Sequence, residues 1–250
     1  MANPDDFAYV GGELGLFAHA RNWKRYWSGK CAPQLIGKVL EVGAGIGTNT
    51  VLLRPIVADE WTCLEPDGRL VAELKSVLDR KGLLQSTRVI TGTLSDLPPE
   101  ERFDTIIYID VLEHIPDDRE ELVRAAERLR PGGRIVVLSP AHQWLFSEFD
   151  QSIGHCRRYS RKTLLAATPE ALRPLQCFYL DSCGLFLSLA NRLLLRQSLP
   201  TVKQILFWDR FVIPISRLID PLLLHRAGKS IVAVWQRKVS ERSGARRTLS

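Results

Sequence analysis

The chain has 250 residues, 45% of them hydrophobic, which suits one α/β domain with a substantial core and does not require a second one. Five scattered cysteines without a CxxC pair, beside only five histidines, exclude a zinc-ribbon pattern and point to reduced thiols in a cytoplasmic-type compartment. The net charge of +6 is uneven: residues 184–250 carry +9 and the preceding 183 residues −3, so the basic character belongs to the last third and bears on partners.

The opening MANPDDFAYV lacks the basic region and apolar run of a signal peptide. Residues 1–35 read as a helical cap: FAHARNWKRYW sets Phe17, Trp23, Tyr26 and Trp27 on a helix after Gly11-Gly12. That helix either packs on a sheet edge or closes as a lid, with Trp23 and Tyr26 against a substrate. A regular alternation follows. VLEV (39–42) predicts strand one, with helix after it to about Val57. WTCLE (61–65) predicts strand two, and RLVAELKSVLDRKG (69–82) the next helix. RVITG (88–92) and FDTIIYID (103–110) predict strands three and four. DREELVRAAERLRPGG (118–133) reads as a helix stopped by Pro131-Gly132-Gly133, and RIVVLSP (134–140) as strand five. CFYLDS (177–182) and KSIVAVWQRK (229–238) predict strands six and seven. β-Branched runs separated by helices predict an α/β fold with a mostly parallel sheet covered on both faces. The tail, 239–250, reads as flexible.

The run Val39–Thr50, VLEVGAGIGTNT, is the strongest local signal. A buried strand feeds a glycine-rich turn, where Gly43, Gly45 and Gly47 around Ala44 allow positive φ and close backbone approach. Such a turn alone also fits a dinucleotide. Glu41 just inside the strand, however, repels a pyrophosphate and suits a ligand carrying an ammonium and a sulfonium, either directly or by ordering the turn. Strand two ends in CLEPD, which places Glu65, followed by Pro66, where a carboxylate can accept from two ribose hydroxyls. After strand three, Thr93, Leu94 and Ser95 can frame an adenine, with Asp96 a candidate acceptor for its amine. Strand four ends in IDVLEHI, so Asp110 and Val111 reach the same edge, where open α/β sheets bind ligands.

Together these motifs resemble a class I S-adenosylmethionine-dependent methyltransferase over about residues 36–182, resuming at 229–238. The resemblance implies a Rossmann-like seven-stranded sheet with its last strand antiparallel, S-adenosylmethionine as cofactor and S-adenosylhomocysteine as product. It implies that Glu65 binds the ribose and Gly43 to Gly47 the methionine part. It also implies that Leu94 flanks adenine and that Asp110 lies near the transferred methyl. On this reading the methyltransferase domain spans 36–238.

The stretch 140–170 reads as a substrate loop. Trp144, Phe146 and Phe149 offer apolar walls, while Asp150, His155, Arg157, Arg158 and Tyr159 offer polar groups. It is similar to a subgroup of these enzymes with an FD…GHxRRYS segment. His155 reads as a general base, a substrate-binding donor or a loop hydrogen-bonder, with Asp150 orienting it. His114 is a second base candidate. Arg157 and Arg158 either clamp a carboxylate or phosphate or bind loop acids. No metal is expected.

Residues 184–224 are apolar yet interrupted by Arg192, Asp209, Arg210, Arg217 and Asp220, which predicts two or three amphipathic helices rather than a span. Three readings stand: a cap over a pocket for a prenyl, acyl or polyketide-like substrate, a peripheral contact with an anionic membrane, or a homodimer interface. No nucleic-acid module is evident. The expected activity is methylation of a small or lipid-like acceptor, with oxygen favoured through His155. C- or N-methylation, a noncatalytic cofactor-binding protein and an NAD-dependent oxidoreductase are the alternatives. The expected location is cytoplasmic, or peripheral to a membrane.

Overall fold

The computed structural model describes residues 9, 11, 13–56, 60–194 and 201–239. Among the described residues seven strands form one sheet: β1 (Val39–Val42), β2 (Trp61–Glu65), β3 (Thr87–Thr91), β4 (Phe103–Ile109), β5 (Leu129–Pro140), β6 (Leu172–Leu180) and β7 (Ser230–Arg237). Their order is β3-β2-β1-β4-β5-β7-β6. β7 lies antiparallel between β5 and β6, and the pairings among β1 to β5 are parallel. Every residue of β1 and β2 is buried, as expected where helices cover both faces. Two apolar clusters lie on opposite sides of the sheet, one around Trp27, Trp61 and Ile107, the other around Tyr108, Leu122 and Trp235.

The helices are α1 (Glu13–Phe17), α2 (Arg21–Cys31), α3 (Thr48–Leu53), α4 (Gly68–Arg80), α5 (Asp118–Arg128), α6 (Glu148–Ser152), α7 (Arg161–Ala166), α8 (Ser182–Leu194), α9 (Val202–Phe207) and α10 (Ile213–Leu222). Asp67 caps α4 by accepting from the Arg69 amide, and Asp117 caps α5 through the Glu120 amide. The chain order reverses beside β1, whose neighbours are β2 and β4, so the loops leaving these strands open on one crevice.

Two boundaries differ from the sequence expectation. α5 ends at Arg128, and Leu129 already pairs with Phe103, so the RPGG segment is extended chain. Proline cannot continue the helix, and a register shift between Phe103 and Thr105 accommodates the extra residues. β6 starts earlier, at Leu172, and ends at Leu180, before Asp181, which takes a positive φ of 66° ahead of α8. The helix expected to reach Val57 ends in a 3₁₀ turn at Ile56, and Val57 lies outside the described residues, as does the tail from residue 240.

The last helices carry an inverted pattern. A π turn, Trp208–Val212, joins α9 to α10. Along this run Ile205, Asp209, Ile213, Ser216 and Asp220 face inward, whereas Phe207, Phe211, Ile215, Leu218 and Leu222 are 51–81% exposed. The acids that seemed to break an apolar run are structural. Asp209 accepts from the amides of Asn22 (3.1 Å) and Trp23 (2.8 Å) and so caps α2 from across the chain. Asp220 accepts from the Tyr26 hydroxyl (2.7 Å) and the amides of Asp181 (2.7 Å) and Ser182 (3.0 Å). Asp220→Ala strands these three buried donors and is expected to lower unfolding stability by at least about 3 kcal/mol. Urea denaturation checks this, and an unchanged midpoint would contradict it. Among the described residues no helix is long and apolar enough to cross a membrane.

Candidate active site

The crevice beyond β1, β2 and β4 opens into a cavity of about 1370 Å³. Its floor is the turn after β1. Gly43 and Ala44 donate to the Leu64 carbonyl at 2.7 and 3.2 Å, which bends the chain away from the sheet. Gly43 has φ +68°, and a Cβ there would lie 2.6 Å from Val111, so a side chain is excluded on both counts. The turn is pinned by Glu65, whose Oε2 accepts from the Gly45 amide at 2.8 Å and Oε1 from the Asp67 amide at 3.0 Å. Each carboxylate oxygen retains further lone-pair capacity on the cavity side. Burial raises the Glu65 pKa, opposed by those two amides. Pro66, Thr93, Leu94, Asp110 and Val111 complete this end. Asp110 is held at φ 54°, a costly conformation for a non-glycine residue and one that clusters at functional sites. Acceptor, half-buried turn and apolar flank are groups that could hold an adenosine ribose and a methionine-like tail.

At the other end, the loop after β5 brings His155 beside His114. Their rings are 4.6 Å apart and nearly perpendicular. His155 Nδ1 lies 2.8 Å from Asp150 Oδ1, and Arg158 makes a two-pronged contact with the same carboxylate, at 2.8 and 3.0 Å. Burial works to raise the Asp150 pKa, but the bonds from His155 and Arg158 outweigh it and hold the carboxyl well below its usual range. Burial, and then the neighbouring His155, lower the His114 pKa to about 4. Glu113, fully buried, closes the group. Trp23, Trp27, Phe146, Phe149 and Trp208 supply apolar wall, and Lys24 also borders the cavity, its pKa lowered to about 8 by burial against the pull of Asp110.

Residues 19–171, more than half of the chain, match a protein family described as a methyltransferase domain. The chain belongs to this family of methyltransferases. Methyl transfer from S-adenosylmethionine is the chemistry of such a family, and the nicotinamide reading loses its ground. A protein-L-isoaspartate O-methyltransferase of Pyrococcus abyssi is 36% identical over 108 residues, covering 42% of this chain and 47% of its own. A ubiquinone biosynthesis O-methyltransferase of Bradyrhizobium diazoefficiens is 29% identical over 109 residues, 43% of this chain and 41% of its own. The match thus spans less than half the length of either relative. In structure, the N-methyltransferase NodS of Bradyrhizobium japonicum, solved with S-adenosylhomocysteine, superposes with a TM-score of 0.54 at 14% identity. That alignment covers 87% of this chain and 85% of NodS, and it speaks to the fold.

Within this methyltransferase, most residues expected at the site border the cavity, but several do not. Glu41 lies beneath the turn, where its Oε2 accepts from Thr50 (2.7 Å) and Trp61 (3.0 Å), so it orders the turn from below. Gly47 is likewise off the cavity: its φ is +80°, and an added Cβ would meet Leu74 at 2.5 Å. Asp96 turns back to cap Thr93. Tyr26 is committed to Asp220, and Tyr159 donates to Asp118 at 2.7 Å. Arg157 pairs with Asp118 and donates to the Pro116 carbonyl, while Trp144 is 46% exposed beside His142. Asp150 acts from behind His155. Sequence reasoning missed Lys24, Trp27 and Glu113. Of these, only Glu113 carries a local signal, its place beside His114 in the turn after β4.

Burial pushes the Glu41 carboxyl up to about 7, opposed by the bonds from Thr50 and Trp61. An acid whose folded pKa exceeds its unfolded value stabilises the fold when protonated. That contribution is complete below pH 4.5 and is lost as pH rises through about 7. The loss reaches about 3 kcal/mol. Glu41→Gln keeps an acceptor for Thr50 and Trp61 and is expected to flatten this decline. Urea midpoints measured across the window check it, and an unchanged slope would contradict it.

Proposed function

We propose that this methyltransferase methylates a small, lipid-like acceptor at oxygen, and that the acceptor reaches the site from an anionic membrane surface. The cavity carries the proposal. It exceeds the about 300–1,000 Å³ of an ordinary single-ligand pocket, giving room for a cofactor and an acceptor together. Its acceptor end is largely apolar, and Leu187 and Phe207, which border it, are also 43% and 54% exposed. The pocket wall therefore continues into the outward apolar stripe of α9 and α10, flanked by the exposed Lys203, Arg210 and Arg217. Such a stripe beside basic residues suits an anionic lipid surface.

Bound S-adenosylmethionine supplies an electrophilic methyl group on a sulfonium. Glu65 and the Gly43–Gly45 turn fix the cofactor end, and much of the rate follows from holding the acceptor in line. For an oxygen acceptor the S–CH3 bond breaks as the O–CH3 bond forms. The hydroxyl proton leaves toward Glu113, His114 and His155, the polar group at the acceptor end. The FD…GHxRRYS segment is then the acceptor loop: Asp150 and Arg158 lock it, and His155 faces the cavity from it.

The test is incubation of the enzyme with methyl-labelled S-adenosylmethionine and a total lipid extract. Label is expected in an alkali-stable, organic-soluble product. Label confined to water-soluble products would overturn the lipid-like assignment. Flotation with anionic vesicles at low salt tests the surface. Binding is expected for the native protein and loss of binding for Phe211→Glu/Leu218→Glu/Leu222→Glu. Self-association without vesicle binding would assign the stripe to a homodimer instead.

A further inference from the structure

One potential ligand atom from each of Glu113, His114 and His155 lies within 4.8 Å of the other two. Glu113 is 0% exposed, and its Oε2 accepts from the Ser139 hydroxyl at 2.9 Å. Its Oε1, equally buried, has no hydrogen-bond partner. That oxygen faces His155 Nε2 across 3.8 Å, beyond hydrogen-bond reach. The other ring nitrogen, Nδ1, meets the Asp150 carboxylate at 2.8 Å. A carboxylate accepts, so Nδ1 is the ring atom that donates toward Asp150, which leaves Nε2 as the ring atom able to ligate a cation. The Glu113 oxygen thus faces the ring nitrogen in a buried place without a hydrogen-bond partner, an arrangement that is costly when left uncompensated.

A cation between them would give the Glu113 oxygen the partner it lacks. Metal–ligand bonds of about 2.0–2.2 Å set two ligands of one ion about 3–4 Å apart, which is the Glu113–His155 spacing. His114 adds a second imidazole on the same wall. Behind His155, Asp150 repeats the carboxylate–histidine arrangement that fixes the tautomer and ring orientation of a metal ligand.

We propose that Glu113, His114 and His155 form a site for a divalent first-row cation, with Asp150 as a positioning residue. Two imidazoles and one carboxylate favour Zn²⁺, Co²⁺ or Mn²⁺ over Mg²⁺ or Ca²⁺. Three protein ligands leave open positions toward the cavity, as in catalytic rather than structural sites. There the cation lowers the pKa of the acceptor hydroxyl, and with the three ligands committed to the cation the hydroxyl proton leaves to solvent through the cavity mouth. This last step rests on the methyl-transfer reading, whereas ion binding stands on the cluster alone.

The test is titration of EDTA-treated protein with Co²⁺, read by visible absorption, with Zn²⁺ competition and S-adenosylhomocysteine binding measured in parallel. Saturable one-to-one Co²⁺ binding that Zn²⁺ displaces is expected. Affinity should fall at least about 100-fold in Glu113→Gln and His155→Gln, and about 10–100-fold in Asp150→Asn. Unaltered Co²⁺ affinity in Glu113→Gln, or no saturable band in native protein that still binds S-adenosylhomocysteine, overturns the site and leaves the methyltransferase reading standing. Co²⁺ binding without S-adenosylhomocysteine binding does the reverse. Should the variants fail to fold, native protein decides: a rise in Tm with Zn²⁺ is expected, and none overturns the site.

Discussion

Replacing Glu65 with alanine is expected to weaken S-adenosylhomocysteine binding by at least about 100-fold while leaving the sheet intact. The carboxylate is 5% exposed and does two things at once. It fixes the turn through the Gly45 and Asp67 amides, and it borders the cavity with acceptor capacity to spare. Hydrogen bonds to a charged acceptor are worth about 1.5–3 kcal/mol each, so losing a pair of them to a ribose accounts for the effect. Glu65→Gln should fall between alanine and native, because one amide N–H2 must then face a backbone N–H. Isothermal titration checks both variants. A dissociation constant within threefold of native for the alanine variant would remove Glu65 from the cofactor site.

His155→Gln is expected to lower kcat by about 100-fold or more, with S-adenosylhomocysteine affinity unchanged. His155 stands at the acceptor end, with Nδ1 held by Asp150 and Nε2 turned toward Glu113 Oε1 at 3.8 Å. Removing it touches neither the Gly43–Gly45 turn nor Glu65. Asp150→Asn should give a smaller loss of kcat, since asparagine can still accept from Nδ1 while the charge opposite Arg158 is gone. Steady-state kinetics combined with binding separates the two ends of the cavity. Equal loss of cofactor affinity in His155→Gln would mean that the loop supports the cofactor rather than the acceptor.

What the sequence makes legible here is what short-range pattern encodes. Strand hydrophobicity, glycine spacing and a carboxylate at the end of β2 are local, and Gly43, Gly45 and Glu65 border the cavity while Gly47 packs on Leu74 instead. Partners chosen at long range are not legible. Asp209 and Asp220 look like solvated charges in an apolar run, yet they bond Trp23 and Tyr26 nearly 200 positions away. That contact also takes Tyr26 out of the substrate wall. Arg157 and Arg158 are neighbours of one residue type, but the packing of the loop sends Arg157 to Asp118 and Arg158 to Asp150. Glu41 had two open roles. The choice depended on Thr50 and Trp61 arriving beneath the turn, which only the packed helix and strand decide. Glu113 acquires its meaning from the loop after β5, which brings His155 to it.

We infer that one cavity holds S-adenosylmethionine at Glu65 and the Gly43–Gly45 turn, with an acceptor beside it. Native mass spectrometry of the purified protein, before and after adding S-adenosylmethionine or S-adenosylhomocysteine, tests it most directly. One cofactor per chain is predicted, lost in Glu65→Ala, together with a second, organic-soluble bound species. A folded protein that takes up neither cofactor would contradict the account at its base.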